Sequence, residues 1–261
     1  MKTNSVVITG GSDGIGLEMA KAFARRGFKI GLLARSADKL AAGAKLCREL
    51  GAPQAEIAAV DVGDFERLRA ALAEMDRKLG GTEIFIANAG VGGTFHLAAD
   101  NWADLLKTGQ VNYLGAVAGL ELMKMKMIER GSGTLVAVSS MAATKGMPLM
   151  SGYCATKAAL STYLQSIRIE LKRKGVTTVS VEPGYIDTAL TKKNKGTMPF
   201  MIPAEQAGRE IAAGILAKKR LVITPKPYRV VKVLLKLLPD WLFEKLAGRF
   251  MLNVGRADRT A

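Results

Sequence analysis

A tyrosine and a lysine near the middle of the chain have the types and spacing needed for proton transfer. Tyr153 and Lys157 are four residues apart, so a helix over 152–174 places them one turn apart on the same face. A lysine ammonium near a phenol favours the phenolate, which predicts a lowered pKa for Tyr153 and a role in proton transfer near neutral pH. Ser140 lies 13 residues before the tyrosine, and its hydroxyl can hold a carbonyl oxygen. The alternative is an ordinary helix with a surface Tyr and Lys.

A glycine-rich turn near the N-terminus predicts a dinucleotide site. The apolar run at 5–10 is expected to be a buried strand, and an amphipathic helix follows the turn. Glycines let the backbone approach a pyrophosphate, and the helix N-terminus offers free N–H groups and a positive dipole. The spacing is TGxxxGxG rather than the general GxGxxG fingerprint. The predicted cofactor contacts in this turn are Thr9, Gly10, Ser12, Asp13, Gly14, Ile15 and Gly16.

The end of the second predicted strand, 29–34, favours NADP(H) over NAD(H). In NAD-specific sites an acidic residue at this end binds the ribose 2′-OH, but here Ala34 and Arg35 occupy the place. A carboxylate would repel a 2′-phosphate, whereas a guanidinium pairs with it. We therefore predict NADP(H), with Arg35 and Ser36 among its contacts. The alternative is a surface arginine that opens the next helix.

Further strand–helix units bring polar residues to strand ends. Strands are expected at 55–60, 83–87, 134–139 and 176–182, with helices between them. This alternation predicts a parallel sheet, which binds ligands at the carboxyl ends of its strands. Asn88 is expected to brace the sheet rather than to act chemically. The predicted cofactor residues at these ends are Asp61, Val62, Asn88, Ala89, Gly90, Pro183, Gly184, Ile186 and Thr188.

Asn112 lies in the middle of a long predicted helix at 101–129. Asparagine is a poor residue for the middle of a helix. Its position in an otherwise apolar stretch therefore suggests a function, and a buried asparagine with satisfied hydrogen bonds is the alternative.

In this order and spacing the motifs resemble the short-chain dehydrogenase/reductase family. The resemblance covers about residues 5–225 and includes TGxxxGxG, NAG, YxxxK and PGxxxT. It implies an α/β fold with a Rossmann-like, doubly wound, seven-stranded parallel sheet flanked by helices. It also implies a homodimer or homotetramer and a catalytic tetrad. The tetrad is Asn112, Ser140, Tyr153 and Lys157.

The resemblance implies a role for each member of the tetrad. Tyr153 would protonate the carbonyl oxygen as the nicotinamide delivers hydride, and Ser140 would orient the carbonyl. Lys157 would lower the Tyr pKa and bind the nicotinamide ribose, and Asn112 would hold a water in a proton relay. Asp13 departs from the family pattern, because serine is common there and NADP-preferring members often carry a basic residue.

Composition indicates a large globular α/β domain in a reducing compartment. The 261 residues can bury a substantial core, and 49% hydrophobic content argues against disorder. Cys47 and Cys154 are far apart, and no cluster of His, Cys, Asp or Glu predicts a metal. The N-terminus leads into a strand without a secretory pattern, so we expect a cytoplasmic protein.

The net charge of +15 is concentrated near the C-terminus. The last 44 residues carry eleven Lys or Arg and three Asp or Glu. This excess indicates a polyanionic partner, either a membrane or a nucleic acid, and a solvated basic tail is the alternative. We divide the chain into a catalytic domain at 1–225 and a basic amphipathic helical tail at 226–261.

The predicted tail helix at 227–238 places Arg229, Lys232 and Lys236 on one face, and valines and leucines cover the rest. A second segment after Pro239 adds apolar and aromatic residues. No apolar run approaches the roughly 20 residues needed to span a bilayer. The pattern is typical of an interfacial anchor, so we expect peripheral contact with an anionic inner membrane face. An oligomer interface or a lid is the alternative, and nucleic-acid binding is not expected because no recognition motif is present. The residues of the second segment are Trp241, Phe243, Leu246 and Phe250.

The segment 189–203 is the expected substrate loop. It combines Lys192, Lys193 and Lys195 with the apolar end MPFMI. Met and Phe suit an adaptable apolar pocket, which favours a lipophilic ketone, and packing on the core is the alternative. The TGGSDGIG start, the LLAR turn and the hydrophobic extension are also similar to 3-ketosphinganine reductases and related lipid-carbonyl reductases. That similarity implies a keto lipid, and a steroid, a 3-oxoacyl compound or a small soluble carbonyl compound is the alternative.

Overall fold

The computed structural model describes residues 3–193 and 198–257, and a parallel sheet lies at its centre. The strands are β1 (Ser5–Thr9), β2 (Lys29–Ala34), β3 (Ala55–Ala59), β4 (Ile84–Ala87), β5 (Gly133–Val138), β6 (Val176–Pro183), β7 (Ile186–Asp187), β8 (Ile202–Pro203) and β9 (Leu221–Thr224). Seven of them form one sheet in the order β3-β2-β1-β4-β5-β6-β9, and each neighbouring pair is parallel. Strands β7 and β8 pair separately. The predicted seven-stranded Rossmann-like sheet is confirmed.

Helices cover both faces of this sheet and connect its strands. They are α1 (Gly14–Ala24), α2 (Ala37–Glu49), α3 (Phe65–Leu79), α4 (Trp102–Gly109), α5 (Ala116–Arg130), α6 (Ser151–Arg173), α7 (Ala204–Leu216), α8 (Tyr228–Leu237) and α9 (Asp240–Ala257). Most bounds lie within one residue of those expected from sequence.

Two hydrophobic cores form, one on each face of the sheet. Val6 and Ile8 of β1 pack with α1 and α7, whereas Val7 packs in the cluster of α3, α5 and α6. Successive residues of a strand point to opposite faces. A central strand covered on both sides must therefore be apolar throughout, which is why these strands read as continuous apolar runs.

The long helix predicted at 101–129 is interrupted around Asn112. A π-helical turn, Gln110–Gly115, joins α4 to α5. Gly115 allows this turn to approach the neighbouring loop, since a Cβ there would lie 2.4 Å from the carbonyl oxygen of Val62. The prediction was right about the extent of the helix and wrong about its regularity, because the wider turn is set by tertiary packing.

The tail forms two helices, α8 and α9, after the last strand of the sheet. Tyr228 and Val231 of α8 pack with Met141, Tyr185 and Ile223, which come from three different strand-end segments. Within the described ranges, no helix is long and apolar enough to cross a membrane. Lys195, residues 258–261 and the side chains of Lys193 and Phe250 lie outside the described part of the chain.

Candidate active site

The glycine-rich turn packs tightly against the end of β4. Gly10 and Gly14 have φ angles of +66° and +52°, which residues with a side chain rarely adopt. A Cβ on Gly16 would lie 2.1 Å from the Gly10 carbonyl oxygen and 2.6 Å from Asn88 Nδ2. The turn therefore leaves its backbone accessible and brings the N-terminus of α1 to the carboxyl edge of the sheet, which fits a dinucleotide.

Thr9 and Asn88 join the ends of β1 and β4. Asn88 Nδ2 donates to the Thr9 and Gly10 carbonyl oxygens at 3.0 and 3.1 Å. Thr9 Oγ1 accepts from the backbone N–H groups of Asn88 and Ala89 at 3.0 and 3.2 Å. The predicted bracing role of Asn88 is confirmed, and these bonds fix the shape of the turn.

The end of β2 and the start of α2 present charged residues to solvent. Arg35 is exposed, and Ser36 caps α2 by accepting from Lys39 N at 3.4 Å. Asp13 caps α1 by accepting from Gly14 N at 2.7 Å, and its other carboxylate oxygen lies 2.9 Å from Lys39 Nζ. The hydrogen bond from Lys39 and that from Gly14 lower the pKa of Asp13. The sequence did not identify Lys39, because a contact across 26 residues leaves no local pattern.

Asp61 and Val62 follow β3 and have different surroundings. Asp61 is exposed and accepts from Gly63 N at 2.9 Å, so its second oxygen remains available to a ligand. Val62 is buried in the core beside the π-helical turn.

The loop after β6 runs from Pro183 to Thr188 and returns toward the glycine-rich turn. A Cβ on Gly14 would lie 3.4 Å from Thr188 Cγ2, which places the two predicted cofactor segments next to each other. Thr188 N donates to Thr191 Oγ1 at 3.0 Å. Ile186 is buried and pairs with Ile202.

Lys157 is buried next to Gly90 and Asn112. The residue is only 3% exposed, and its Nζ donates to the Val138 carbonyl oxygen at 2.9 Å. Burial lowers the pKa of Lys157 to about 8. A Cβ on Gly90 would lie 3.3 Å from both Lys157 Nζ and Asn112 Oδ1. Glycine at this position thus lets the backbone pass close to both polar groups, which a side chain would crowd.

Asn112 is fully buried, and the segment after β4 satisfies its amide. Its Oδ1 accepts from Val91 N at 2.7 Å, and its Nδ2 donates to the Val91 carbonyl oxygen at 2.9 Å. Nδ2 also lies 3.3 Å from Thr156 Oγ1, which donates to the Tyr153 carbonyl oxygen at 2.9 Å. Asn112 therefore links the NAG turn to the start of α6. Sequence reasoning did not identify Thr156 as part of the site. The only sequence signal was a polar residue next to Lys157.

Tyr153 and Ser140 lie together, but the expected effect of Lys157 on the phenol is wrong. Lys157 Nζ is 5.8 Å from the centroid of the Tyr153 ring and donates to a backbone carbonyl instead. Burial is the largest influence and raises the pKa of Tyr153, and the nearby Ser140 hydroxyl opposes that rise. Ser140 Oγ accepts from Ala142 N at 3.1 Å, which leaves its hydroxyl hydrogen to donate elsewhere.

Ser139, the neighbour of Ser140, has a structural role. Its Oγ donates to the Lys157 carbonyl oxygen at 2.8 Å and accepts from Ser161 Oγ at 2.8 Å. It therefore fixes α6 against β5 and sets the position of the helix that carries Tyr153.

The tail helices contact the loops around this site. The Tyr228 hydroxyl donates to the Pro199 carbonyl oxygen at 2.9 Å, and its ring packs edge-on against Tyr185 and Phe200. A Cβ on Gly184 would lie 2.4 Å from that ring. Burial raises the pKa of Tyr228 to about 12.

A second tail contact reaches the segment between Ser140 and Tyr153. Lys145 Nζ donates to the Leu238 carbonyl oxygen at 3.1 Å, pairs with Asp240 and lies 5.6 Å from the centroid of the Phe243 ring. The junction of α8 and α9 is thus tied to the segment that carries Ser140.

The outer face of α8 is apolar, which corrects the expected arrangement of its charges. Lys232 does not share a solvent face with Lys236, because it forms an ion pair with buried Glu182. Four aliphatic side chains instead face solvent. These residues are Val230 (64% exposed), Val233 (55%), Leu234 (61%) and Leu237 (76%).

The apolar end of the predicted substrate loop is divided between solvent and the core. Phe200 and Met201 are exposed, as is Leu190 earlier in the loop, whereas Ile202 packs against the core on the α1 and α7 side of the sheet. Leu190 reaches the segment after β4, since a Cβ on Gly92 would lie 3.0 Å from its Cδ1. Among the described residues, no group of three or more His, Cys, Asp or Glu is arranged to hold a metal ion.

Comparison with known proteins identifies related sequences. A family model described as short chain dehydrogenase matches residues 4–198. An uncharacterized oxidoreductase of Myxococcus xanthus (strain DK1622) is 33% identical over 253 residues, covering 95% of this chain and 98% of the relative. An 11-beta-hydroxysteroid dehydrogenase-like protein, 4A, of Arabidopsis thaliana is 30% identical over 249 residues, covering 92% of this chain and 82% of that protein.

A solved structure has the same fold. The alcohol dehydrogenase from the archaeon Thermococcus sibiricus, solved in complex with 5-hydroxy-NADP, superimposes with a TM-score of 0.75. The two sequences are 26% identical, and the match covers 84% of this chain and 94% of the other.

Proposed function

This chain belongs to the short-chain dehydrogenase/reductase family of oxidoreductases, and from that premise we propose that it reduces a ketone to a secondary alcohol with NADPH. The observation that carries the proposal is the connection among four polar side chains. Asn112 Oδ1 and Lys157 Nζ both lie against Gly90, the Ser140 hydroxyl lies beside the Tyr153 phenol, and Thr156 joins Asn112 to the Tyr153 carbonyl oxygen. When bound, the reduced nicotinamide supplies a hydride.

Tyr153 is the proton donor in this proposal. Its raised pKa keeps the phenol protonated across the neutral range, so it can give a proton to a carbonyl oxygen. Ser140, whose oxygen already accepts from Ala142 N, donates its own hydrogen to the same oxygen and orients it. Lys157 remains largely charged below its pKa of about 8, and its ammonium would bind the nicotinamide ribose. Asn112 positions the start of α6 and would hold a water in a proton relay to solvent.

NADPH is favoured over NADH by the charge at the end of β2. Arg35 is exposed there, and Ser36 follows it as the cap of α2. A guanidinium attracts a 2′-phosphate and gives no comparable gain with a 2′-hydroxyl. The NADP analogue bound to the archaeal alcohol dehydrogenase supports the same choice.

The substrate we propose is a lipophilic ketone, such as a 3-keto sphingoid or another keto lipid. Leu190, Phe200 and Met201 present apolar side chains next to the loops that adjoin the candidate site. Aromatic rings adjoin this apolar patch, because Tyr185 and Phe200 both pack edge-on against Tyr228. A steroid ketone is the second candidate, favoured by the relative named for hydroxysteroid dehydrogenase.

We also propose that the tail touches the cytoplasmic face of a membrane as a peripheral contact. The exposed aliphatic face of α8 gives the apolar area for this contact, and the basic excess of the last 44 residues gives attraction to anionic lipid. The same face can instead join two subunits, since members of this family usually oligomerise.

Replacement of the phenol tests the reaction. Tyr153→Phe should bind NADPH with an affinity close to that of the wild type and lose oxidation of NADPH with every accepted ketone. Long-chain keto lipids, steroids and small diketones form the substrate panel. Tyr163→Phe is the control, because Tyr163 is on the same helix and hydrogen-bonds Glu121 instead. Retained turnover in Tyr153→Phe would overturn the proposed mechanism.

A further inference from the structure

Lys39 lies beside the glycine-rich turn although it belongs to α2. Its Nζ is 2.9 Å from Asp13 Oδ2, and Asp13 is the cap of α1. The turn that is proposed to hold the cofactor phosphates therefore contains a carboxylate. That negative charge opposes phosphate binding unless a cation neutralises it.

The Asp13–Lys39 pair is open to solvent and can rearrange. The two side chains are 58% and 61% exposed. An ion pair at such a surface contributes about 1 kcal/mol or less, so a stronger anion can draw the ammonium away from the carboxylate. Asp13 keeps its bond to Gly14 N through the other oxygen, so the cap of α1 does not depend on Lys39.

A cleft of about 280 Å³ lies between α1 and α2 and is polar beside the glycine-rich turn. Ser12, Asp13 and Lys39 form its polar lining, and the rest of its lining is Leu17, Ala42, Gly43 and Leu46. The exposed guanidinium of Arg35 is at the end of β2, four residues before Lys39, and Ser36 between them starts α2. Two basic residues therefore lie within four positions of each other at the start of α2, and Lys39 reaches the start of α1 through Asp13.

We propose that Lys39 is a second determinant of cofactor specificity. When the cofactor binds, the Lys39 ammonium moves from the Asp13 carboxylate to the adenosine 2′-phosphate, which it binds together with Arg35. This inference rests on the proposed NADPH preference. The lysine has two effects, because it cancels the repulsion from Asp13 and adds a charge-assisted hydrogen bond to the phosphate. NADH lacks the 2′-phosphate and gains only the first of these effects.

Direct measurement of cofactor affinity tests the assignment. Dissociation constants for NADPH and NADH are measured on the full-length protein by calorimetry and by nicotinamide fluorescence. Lys39→Ala should weaken NADPH binding about tenfold and change NADH binding by less than about twofold. Lys45→Ala removes the same charge from an exposed position on the same helix and should leave both constants unchanged. Asp13→Asn, which keeps an oxygen for the cap, should tighten NADPH binding in the Lys39→Ala background.

The outcomes separate this inference from the proposed function. A wild-type preference for NADPH that survives unchanged in Lys39→Ala would overturn the role of Lys39 and leave the proposed function intact. Equal weakening of NADPH and NADH would also overturn it, because a purely structural role predicts that result. A wild type that binds NADH at least as tightly as NADPH would overturn both the proposed cofactor and this inference.

Discussion

Lys232 of α8 forms an ion pair with Glu182 of β6, and both side chains are largely buried. Glu182 immediately precedes Pro183 and Gly184, which begin the loop that returns toward the glycine-rich turn. Tyr228 is one turn earlier on α8 and packs on Gly184. The tail helix therefore contacts this loop through a buried charge pair and an aromatic ring.

Loss of the Lys232 ammonium is predicted to destabilise the protein strongly. Lys232→Met leaves the Glu182 carboxylate buried without its counter-ion, for which we expect a loss of about 3–5 kcal/mol in the free energy of unfolding. Urea unfolding gives this value. The control is Lys236→Met, because Lys236 is exposed on the same helix, and its expected effect is within about 0.5 kcal/mol.

A second substitution separates the charge effect from lost packing. Glu182→Gln in the Lys232→Met background removes the unpaired charge, so stability should recover by a large part of the loss. If the double variant is no more stable than Lys232→Met, the destabilisation has another origin and the ion pair is not its cause.

Sequence reasoning located the sheet and the site because both depend on local patterns. Val6, Val7 and Ile8 are apolar in succession because β1 is covered on both faces. Parallel strands bring their carboxyl ends to one edge, so the motifs that follow β1, β4 and β5 had to meet. Tyr153 and Lys157 needed only the helical period.

Other features depend on how distant elements pack, which local patterns do not report. Helical periodicity placed Lys232 on a polar, solvent-facing side of α8. In the structure α8 packs so that Lys232 points inward and pairs with Glu182. The partner of Asp13 was set by the packing of α2 beside α1. The pKa of Tyr153 depended on whether burial or the Lys157 charge is stronger, and burial is stronger.

Gly16 is predicted to be indispensable for the shape of the glycine-rich turn. A Cβ at this position would lie 2.1 Å from a backbone oxygen, which cannot move without displacing the turn from Asn88. Gly16→Ala should lower the free energy of unfolding by about 3 kcal/mol and weaken NADPH binding. Thermal unfolding and NADPH fluorescence measure the two effects.

Gly109 provides the matched control for this substitution. A Cβ there meets no atom within 4 Å, and its φ of −60° is helical. Gly109→Ala should be neutral or stabilise the protein by up to about 1 kcal/mol. If Gly16→Ala and Gly109→Ala lose similar amounts of stability and NADPH binding, the close contact at Gly16 does not matter and the prediction is wrong.

Burial of Lys157 predicts that the protein becomes more stable as the pH rises above about 8. Its folded pKa of about 8 is below the ordinary value of 10.5, so between these pH values the unfolded chain binds one more proton than the folded chain. The free energy of unfolding of the wild type therefore rises with pH in this window, by roughly 3 kcal/mol in total. Below pH 8 the charged, buried Lys157 lowers the free energy of unfolding by an amount that does not change with pH.

Lys157→Met removes this term and the activity together. Relative to the variant, the wild type should gain stability between about pH 8 and 10.5 and show no relative change between about pH 6 and 7. Denaturant unfolding at several pH values measures the difference. Lys172→Met, at an exposed position on the same helix, should show no such difference over the window. A flat difference for Lys157→Met as well would contradict a depressed pKa.

The outward apolar face of α8 predicts that lipid binding depends on Leu234 and Leu237, the most exposed leucines of that helix. Replacing both with glutamine in the full-length chain preserves the inner contacts of Tyr228 and Lys232, unlike removal of the tail. We expect the wild type to co-float with phosphatidylglycerol vesicles, more weakly with phosphatidylcholine vesicles, and the variant to lose at least about tenfold in binding. Replacing exposed Met125 and Ile169 with glutamine is the control and should leave flotation unchanged. Equal flotation of all three proteins would refute a membrane role for α8, and a shift from dimer to monomer in sedimentation without any flotation would assign the face to a subunit interface.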